Sequence, residues 1–185
     1  DLHVRSRRQR QMCIRDRDYI MNKIYLYLED GESFEAESFA YQPESPYISE
    51  IVFNTSMQGY QEIITDPSYC DQSIVMTFPL IGNYGINQDD SESITPYLKT
   101  LIVREYCDHP SNFRTRRNLS QFLTGHKVVG IHKIDTRKLT KIIRSKGTMK
   151  VLISKEELTS AEVTSFLANN LDKNQIEKVS TKAIS

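Results

Sequence analysis

The sequence predicts an α/β fold, and three observations carry that prediction. Short β-favouring runs recur along the chain, at 24–28, 33–39, 50–54, 73–78, 98–104, 128–131 and 151–153. Between several of them lie segments with apolar residues at helical spacing, around 60–64, 118–123, 136–146 and 159–167. The connections are of both kinds, hairpin turns and helical crossovers, which together give an α/β class.

Length and composition set the frame. A chain of 185 residues is about one domain and can bury roughly two-thirds of its unfolded surface. Apolar residues make up 38% and charged residues 26%, ordinary values for a soluble protein. No apolar run is long enough to span a bilayer, so no membrane partner is expected. The formal charge is zero, yet residues 1–20 hold six arginines and three aspartates, leaving 18 basic against 21 acidic residues elsewhere. A mildly acidic body does not suggest a nucleic-acid partner. Cys13, Cys70 and Cys107 are odd in number and form no CxxC pair, and His3, His109, His126 and His132 lack metal-ligand spacing. Neither a disulfide framework nor a metal site follows, and a reducing cytoplasm fits best.

Residues 1–20 show no sustained periodicity and are expected to be extraneous or disordered, with Met21 as the native start. From there Ile24–Leu28 reads as a strand, Glu29-Asp-Gly-Glu32 as a hairpin turn, and Ser33–Phe39 as the partner strand. Pro43 and Pro46 mark a loop before a strand at 50–54. The stretch Ile51-Val-Phe-Asn-Thr-Ser-Met-Gln-Gly-Tyr-Gln-Glu-Ile-Ile-Thr-Asp-Pro-Ser-Tyr69 is the densest packet of polar groups in the chain. Asn54-Thr55-Ser56 are helix N-cap types, Tyr60, Ile63 and Ile64 share one apolar face, and Asp66-Pro67-Ser68 is a turn signal.

A buried-type strand follows at 73–78, then Ile81-Gly-Asn-Tyr-Gly-Ile86, whose glycines allow unusual backbone geometry, and an exposed loop at 87–96. After the strand at 98–104, Asn118–Leu123 predicts a short helix stopped by Gly125. Val128–Ile131 is a strand, and Thr136–Lys146 a helix capped by Asp135, stapled by Ile134 and Leu139, and ended by Gly147. Val151–Ile153 is the last strand. Thr159-Ser-Ala-Glu162 is a capping box for a final helix, and 172–185 reads as a linker cut short.

The chain offers no self-sufficient catalytic set. Cys70 and Cys107 have no nucleophile setting, His132 reads as a surface or core residue, and Gly82 and Gly85 lack the Lys-Ser/Thr of a phosphate loop. Arg137, Lys138, Lys141, Arg144 and Lys146 give the 136–146 helix a basic side, read first as a solvated face, second as a protein interface and last as a nucleic-acid surface. On the residues alone the chain is a binding or interaction module.

Four ordered motifs then point further: Val52 to Tyr69, Phe78-Pro-Leu-Ile-Gly-Asn-Tyr-Gly85, Ser111-Asn-Phe-Arg114 and Ile134-Asp-Thr-Arg-Lys-Leu-Thr140. With Leu28-Glu-Asp-Gly31 and a Lys-Val-Ser-Thr tail, they resemble the small subunit of glutamine-dependent carbamoyl-phosphate synthetase over about residues 21–182. The resemblance implies the three-layer β/β/α N-terminal domain of that subunit at 21–171, with 172–185 leading toward a class I glutaminase domain that is missing here. It implies docking on the large synthetase subunit, which holds ATP and Mg and makes carbamoyl phosphate for arginine and pyrimidine synthesis. No cofactor belongs to this chain, and none of its residues is implied as catalytic. One residue is implied as glutamine-binding: Ser68, whose hydroxyl can donate to a carboxylate or accept from an ammonium. The alternative for Ser68 is a bond to its own turn's backbone. Ser49 and Lys133 depart from the family pattern, where smaller residues are usual. The fragment alone is expected to be inactive, and the rival reading is a stand-alone protein-interaction module.

Overall fold

The structure, a computed structural model, describes residues 22–83, 85–86, 95–107 and 118–168. The expectations for 1–20, for 172–185, for most of the 87–96 loop and for the Ser111–Arg114 motif lie outside those residues.

Period-two alternation builds the first wall. In β1 (Lys23–Leu28), Ile24, Leu26 and Leu28 are fully buried while Tyr25 and Tyr27 alternate outward. Gly31 takes φ 91 in the hairpin turn, where its amide donates to Leu28 O at 3.0 Å, and β2 (Ser33–Ser38) returns antiparallel. Next come β3 (Tyr47–Asn54), β4 (Gln72–Met76), the short β5 (Leu80–Ile81), β6 (Thr100–Ile102), β7 (Glu105–Tyr106), β8 (Val129–His132) and β9 (Met149–Ser154). β3, β4, β6 and β8 run parallel in neighbouring pairs, while β1, β2 and β9 join them antiparallel. The order β1-β2-β8-β6-β4-β3-β9 closes into a seven-stranded barrel, with β5 and β7 as a separate two-stranded sheet.

The α/β class holds. The three-layer β/β/α arrangement is not what the pairing describes, because β9 pairs with both β1 and β3 and β2 pairs with β8, so the walls join into one closed sheet. Boundaries also move. β3 begins at Tyr47, directly after Pro46, and β6 is confined to three residues between Lys99 and Val103.

Among the described residues four helices accompany the barrel: α1 (Tyr60–Thr65), α2 (Leu119–Gly125), α3 (Thr136–Lys146) and α4 (Ser160–Leu167). Two buried clusters follow from the strand alternation. Ile51, Val75, Ile102, Ile131 and Ile153 face the barrel interior, where Leu139 and Ile143 of α3 join them. Ile74, Met76 and Leu101 face outward and are covered by Tyr60, Ile63 and Ile64 of α1 and by Leu119, Phe122 and Leu123 of α2.

The caps of α2, α3 and α4 match their sequence signals: Asn118 accepts from Gln121 N, Asp135 from Lys138 N, and Thr159 forms a full capping box with Glu162. Two terminus expectations are corrected. α1 is not capped by Asn54, Thr55 or Ser56; Gly59 precedes it in left-handed geometry (φ 76) without a side-chain cap. Asn54 instead closes a local turn, accepting from Ser56 N at 2.8 Å. α2 runs through Gly125, and the left-handed residue that turns the chain is Lys127 (φ 57).

α3 leaves the finishing end of β8 and leads to Met149, which pairs with Ile51 near the finishing end of β3. It therefore lies along the barrel rim where the parallel strands end. The Ser68 turn, by contrast, delivers the chain into the start of β4.

Candidate functional site

Ser68 stands on a turn whose backbone is fixed on both sides. Upstream, α1 is anchored by the buried Ile63 and Ile64 and by Tyr60, whose hydroxyl donates to Gly85 O at 2.8 Å. Thr65 is fully buried and donates from Oγ1 to Gln61 O at 2.9 Å, ending the helix. Asp66 Oδ1 accepts from Ser68 N at 2.8 Å, and Pro67 starts a 3₁₀ turn over Pro67–Tyr69. Tyr69 N donates to Asp66 O at 3.2 Å and Cys70 N to Pro67 O at 3.1 Å. Downstream, Tyr69 Oη accepts from Asn54 Nδ2 at 3.1 Å, and Cys70 is buried.

These bonds leave the Ser68 side chain in the open. It is exposed, and its hydroxyl has no partner among the described residues. The alternative role, bonding its own turn, is filled by Asp66 instead. A rigid backbone with an unspent hydroxyl can donate to an anion or accept from a cation of a small ligand.

The other chemically capable residues have structural roles. Cys70 is buried, and Cys107 is half-buried with its amide donating to Ile81 O at 2.9 Å; His109, near it in sequence, lies outside the described residues. His132 packs edge-on to Phe39, with ring centroids 5.5 Å apart, and to Tyr106 at 6.3 Å. Burial pushes its imidazole below the ordinary histidine value, with Glu37 opposing and Lys133 reinforcing that shift. Gly82 (φ 96) is required by packing: a Cβ there would meet Cys107 O at 2.8 Å. Gly85 presents the carbonyl that holds Tyr60. The two departures also have places. Ser49 pairs with Ser73, hydroxyl to hydroxyl at 2.6 Å, and Lys133 sits at φ 58 with its ammonium 2.7 Å from Glu37.

Among the described residues no group of three or more His, Cys, Asp or Glu side chains could hold a metal, and no helix is long and apolar enough to cross a membrane. Two features were beyond sequence reasoning. The Asn54–Tyr69 bond joins residues fifteen apart with no local signal. An open cleft of about 460 Å³ gathers Arg104, Glu105, Lys133, Ile134, Asp135 and Arg137 from β6–β7 and β8–α3 connections.

Residues 26–153 match the family model described as carbamoyl-phosphate synthase small chain, CPSase domain. The carbamoyl phosphate synthase small chain of Oceanobacillus iheyensis is 49% identical over 162 residues, 87% of this chain and 44% of the relative. The pyrimidine-specific small chain of Bacillus subtilis is 47% identical over 158 residues, 85% of this chain and 43% of the relative. The small chain of Fusobacterium nucleatum is 47% identical over 161 residues, with 86% and 44% covered. The chain thus spans less than half the length of these curated relatives. Among solved structures, an aminopeptidase from Aneurinibacillus sp. strain AM-1 is 17% identical, covering 72% of this chain and 30% of its own at a TM-score of 0.39.

Proposed function

Because this chain belongs to the carbamoyl-phosphate synthase small-chain family, we propose that it is the N-terminal domain of a glutamine amidotransferase subunit. In that role it docks on the large synthetase chain and helps form the glutamine site for ATP-dependent synthesis of carbamoyl phosphate from glutamine and bicarbonate. The family match over residues 26–153 is the observation that carries the reading, since it spans the barrel and the Ser68 turn.

Ser68 would contact glutamine, and its geometry suits the task. Its hydroxyl is exposed and unspent, while Asp66, Pro67 and Tyr69 hold the backbone. Pre-organisation of this kind lowers the ordering cost of binding a small zwitterion. The chemistry of amide hydrolysis would lie on a glutaminase domain, and ATP and Mg on the large chain. The cellular setting is cytoplasmic, and the product would feed pyrimidine synthesis, arginine synthesis or both.

Two measurements on the purified chain test this together. It should release no ammonia from glutamine, and it should form a complex with the large synthetase chain in analytical ultracentrifugation. A chain that hydrolyses glutamine by itself, or that fails to associate, would refute the reading.

A further inference from the structure

The barrel closes along the β2–β8 seam, and that seam is short. Two pairs align on it, Glu37 with His132 and Ser38 with Ile131, whereas β1–β2, β3–β4 and β3–β9 each align five. A closed sheet opens most readily where the fewest ladder bonds hold it.

Phe39, the residue after β2, reinforces the seam. Its amide donates to Gly130 O at 2.9 Å, and Ser120 Oγ of α2 donates to its carbonyl at 2.5 Å. Its ring lies over Gly130, where an added Cβ would meet Phe39 Cζ at 2.8 Å. Tyr106 of β7 stacks on that ring with centroids 4.2 Å apart, and His132 packs edge-on to both. The imidazole is therefore part of the packing that holds Phe39 across the seam.

One carboxylate answers to two bases at this place. Glu37 Oε2 lies 2.7 Å from Lys133 Nζ and 3.8 Å from His132 Nε2. Among the described residues Glu37 and Lys133 are the charges that act on the ring, and Tyr106 is its other titratable neighbour. Arg104 meets the same connection through its carbonyl, which accepts from Lys133 N at 2.9 Å. The Lys133 side chain is 57% exposed and the His132 side chain 18%, so lysine keeps its hydration and histidine does not. A proton added to the ring meets poor solvation, a neighbouring ammonium and a carboxylate already engaged.

We propose that His132 is an acid-sensitive latch on the barrel. Its neutral ring packs the Phe39–Tyr106 stack against the β2–β8 seam; its protonated ring competes with Lys133 for Glu37 and releases that packing. The seam then opens more often while the other seams stay paired. The latch is separate from the Ser68 turn and does not rest on the functional reading above.

The sign follows from burial, which holds the folded imidazole below its ordinary value of 6.5. A histidine lowered on folding contributes stability that is complete above that ordinary value. It is lost as pH falls below it, until the folded ring also takes its proton.

Amide hydrogen exchange, read by NMR as protection factors so that intrinsic exchange cancels, tests the latch. From about pH 7.5 to about pH 5 the Phe39 amide should lose roughly threefold or more of its protection. The Thr77 amide, which donates to Asn54 O beside the β3–β4 seam, should keep its own. His132→Gln should make Phe39 protection independent of pH over this range. Lys133→Gln should raise the His132 titration midpoint, read from its ring protons, and Glu37→Gln should lower it. Acid loosening should accordingly shrink in the first variant and grow in the second. If circular dichroism shows His132→Gln unfolded, those two opposite shifts decide the matter. Phe39 protection that stays flat or rises in acid, or midpoints indifferent to both neighbours, would overturn the latch. Equal losses at Phe39 and Thr77 would overturn it too, by assigning the effect to global unfolding.

Discussion

Asn54 and Tyr69 are joined by a 3.1 Å hydrogen bond from the Asn54 amide to the Tyr69 hydroxyl, and that bond ties the end of β3 to the turn carrying Ser68. Tyr69→Phe keeps the ring, which packs against the outer cluster, and removes only the acceptor. The expected loss is about 1 kcal/mol of stability, read from the urea midpoint with an unchanged m-value. A variant as stable as wild type would show that the bond does not hold the turn.

Ser68→Ala should separate ligand binding from folding. The hydroxyl has no partner among the described residues, so stability should stay within about 0.5 kcal/mol of wild type. In a complete small chain assembled with the large chain, the glutamine KM should rise about tenfold, since a hydrogen bond to a charged group contributes about 1.5–3 kcal/mol. An unchanged KM would remove Ser68 from the glutamine site.

How much of this was legible follows from the range of each signal. The β1–β2 hairpin and α3 were readable because Asp30-Gly31, Asp135 and Gly147 act within three or four residues. The start of α1 was misread for a local reason as well. Asn54, Thr55 and Ser56 have cap chemistry, yet Asn54 spends its oxygen on Ser56 N while Gly59 alone offers the left-handed geometry the chain needs. Barrel closure had no local signal: Leu26 pairs with Ile153, and alternation in either strand is equally compatible with an open sheet. The Ser68 turn was visible as a turn, but the exposure of its side chain, with Asp66 accepting from the Ser68 amide, had no signal in the sequence.

Asp135→Ala should expose the importance of the α3 cap. Its carboxylate accepts from Lys138 N at 2.9 Å, one of the donors a helix start leaves unpaired. The loss should be about 1 kcal/mol, with Asp135→Asn close to wild type because an asparagine oxygen can accept the same bond. Equal losses for both variants would place the effect in charge instead of capping.

The contact between Asp30 and Lys146 gives stability a pH dependence of known sign. Burial raises the Asp30 carboxyl, but the Lys146 ammonium at 2.8 Å and the Glu32 amide at 3.0 Å more than offset it, so the folded pKa lies below the ordinary aspartate value. A carboxyl lowered on folding contributes stability that is present above its unfolded value, about 3.9, and is lost as pH falls through the folded one. Lys146→Gln removes the larger opposing partner and leaves burial against the backbone amides of Glu32 and Asp30. The variant's urea midpoint should therefore lie below wild type at pH 6, with the gap narrowing as pH falls below about 4. A gap that stays constant down to acid pH would assign the loss to packing of the Lys146 chain and not to its charge.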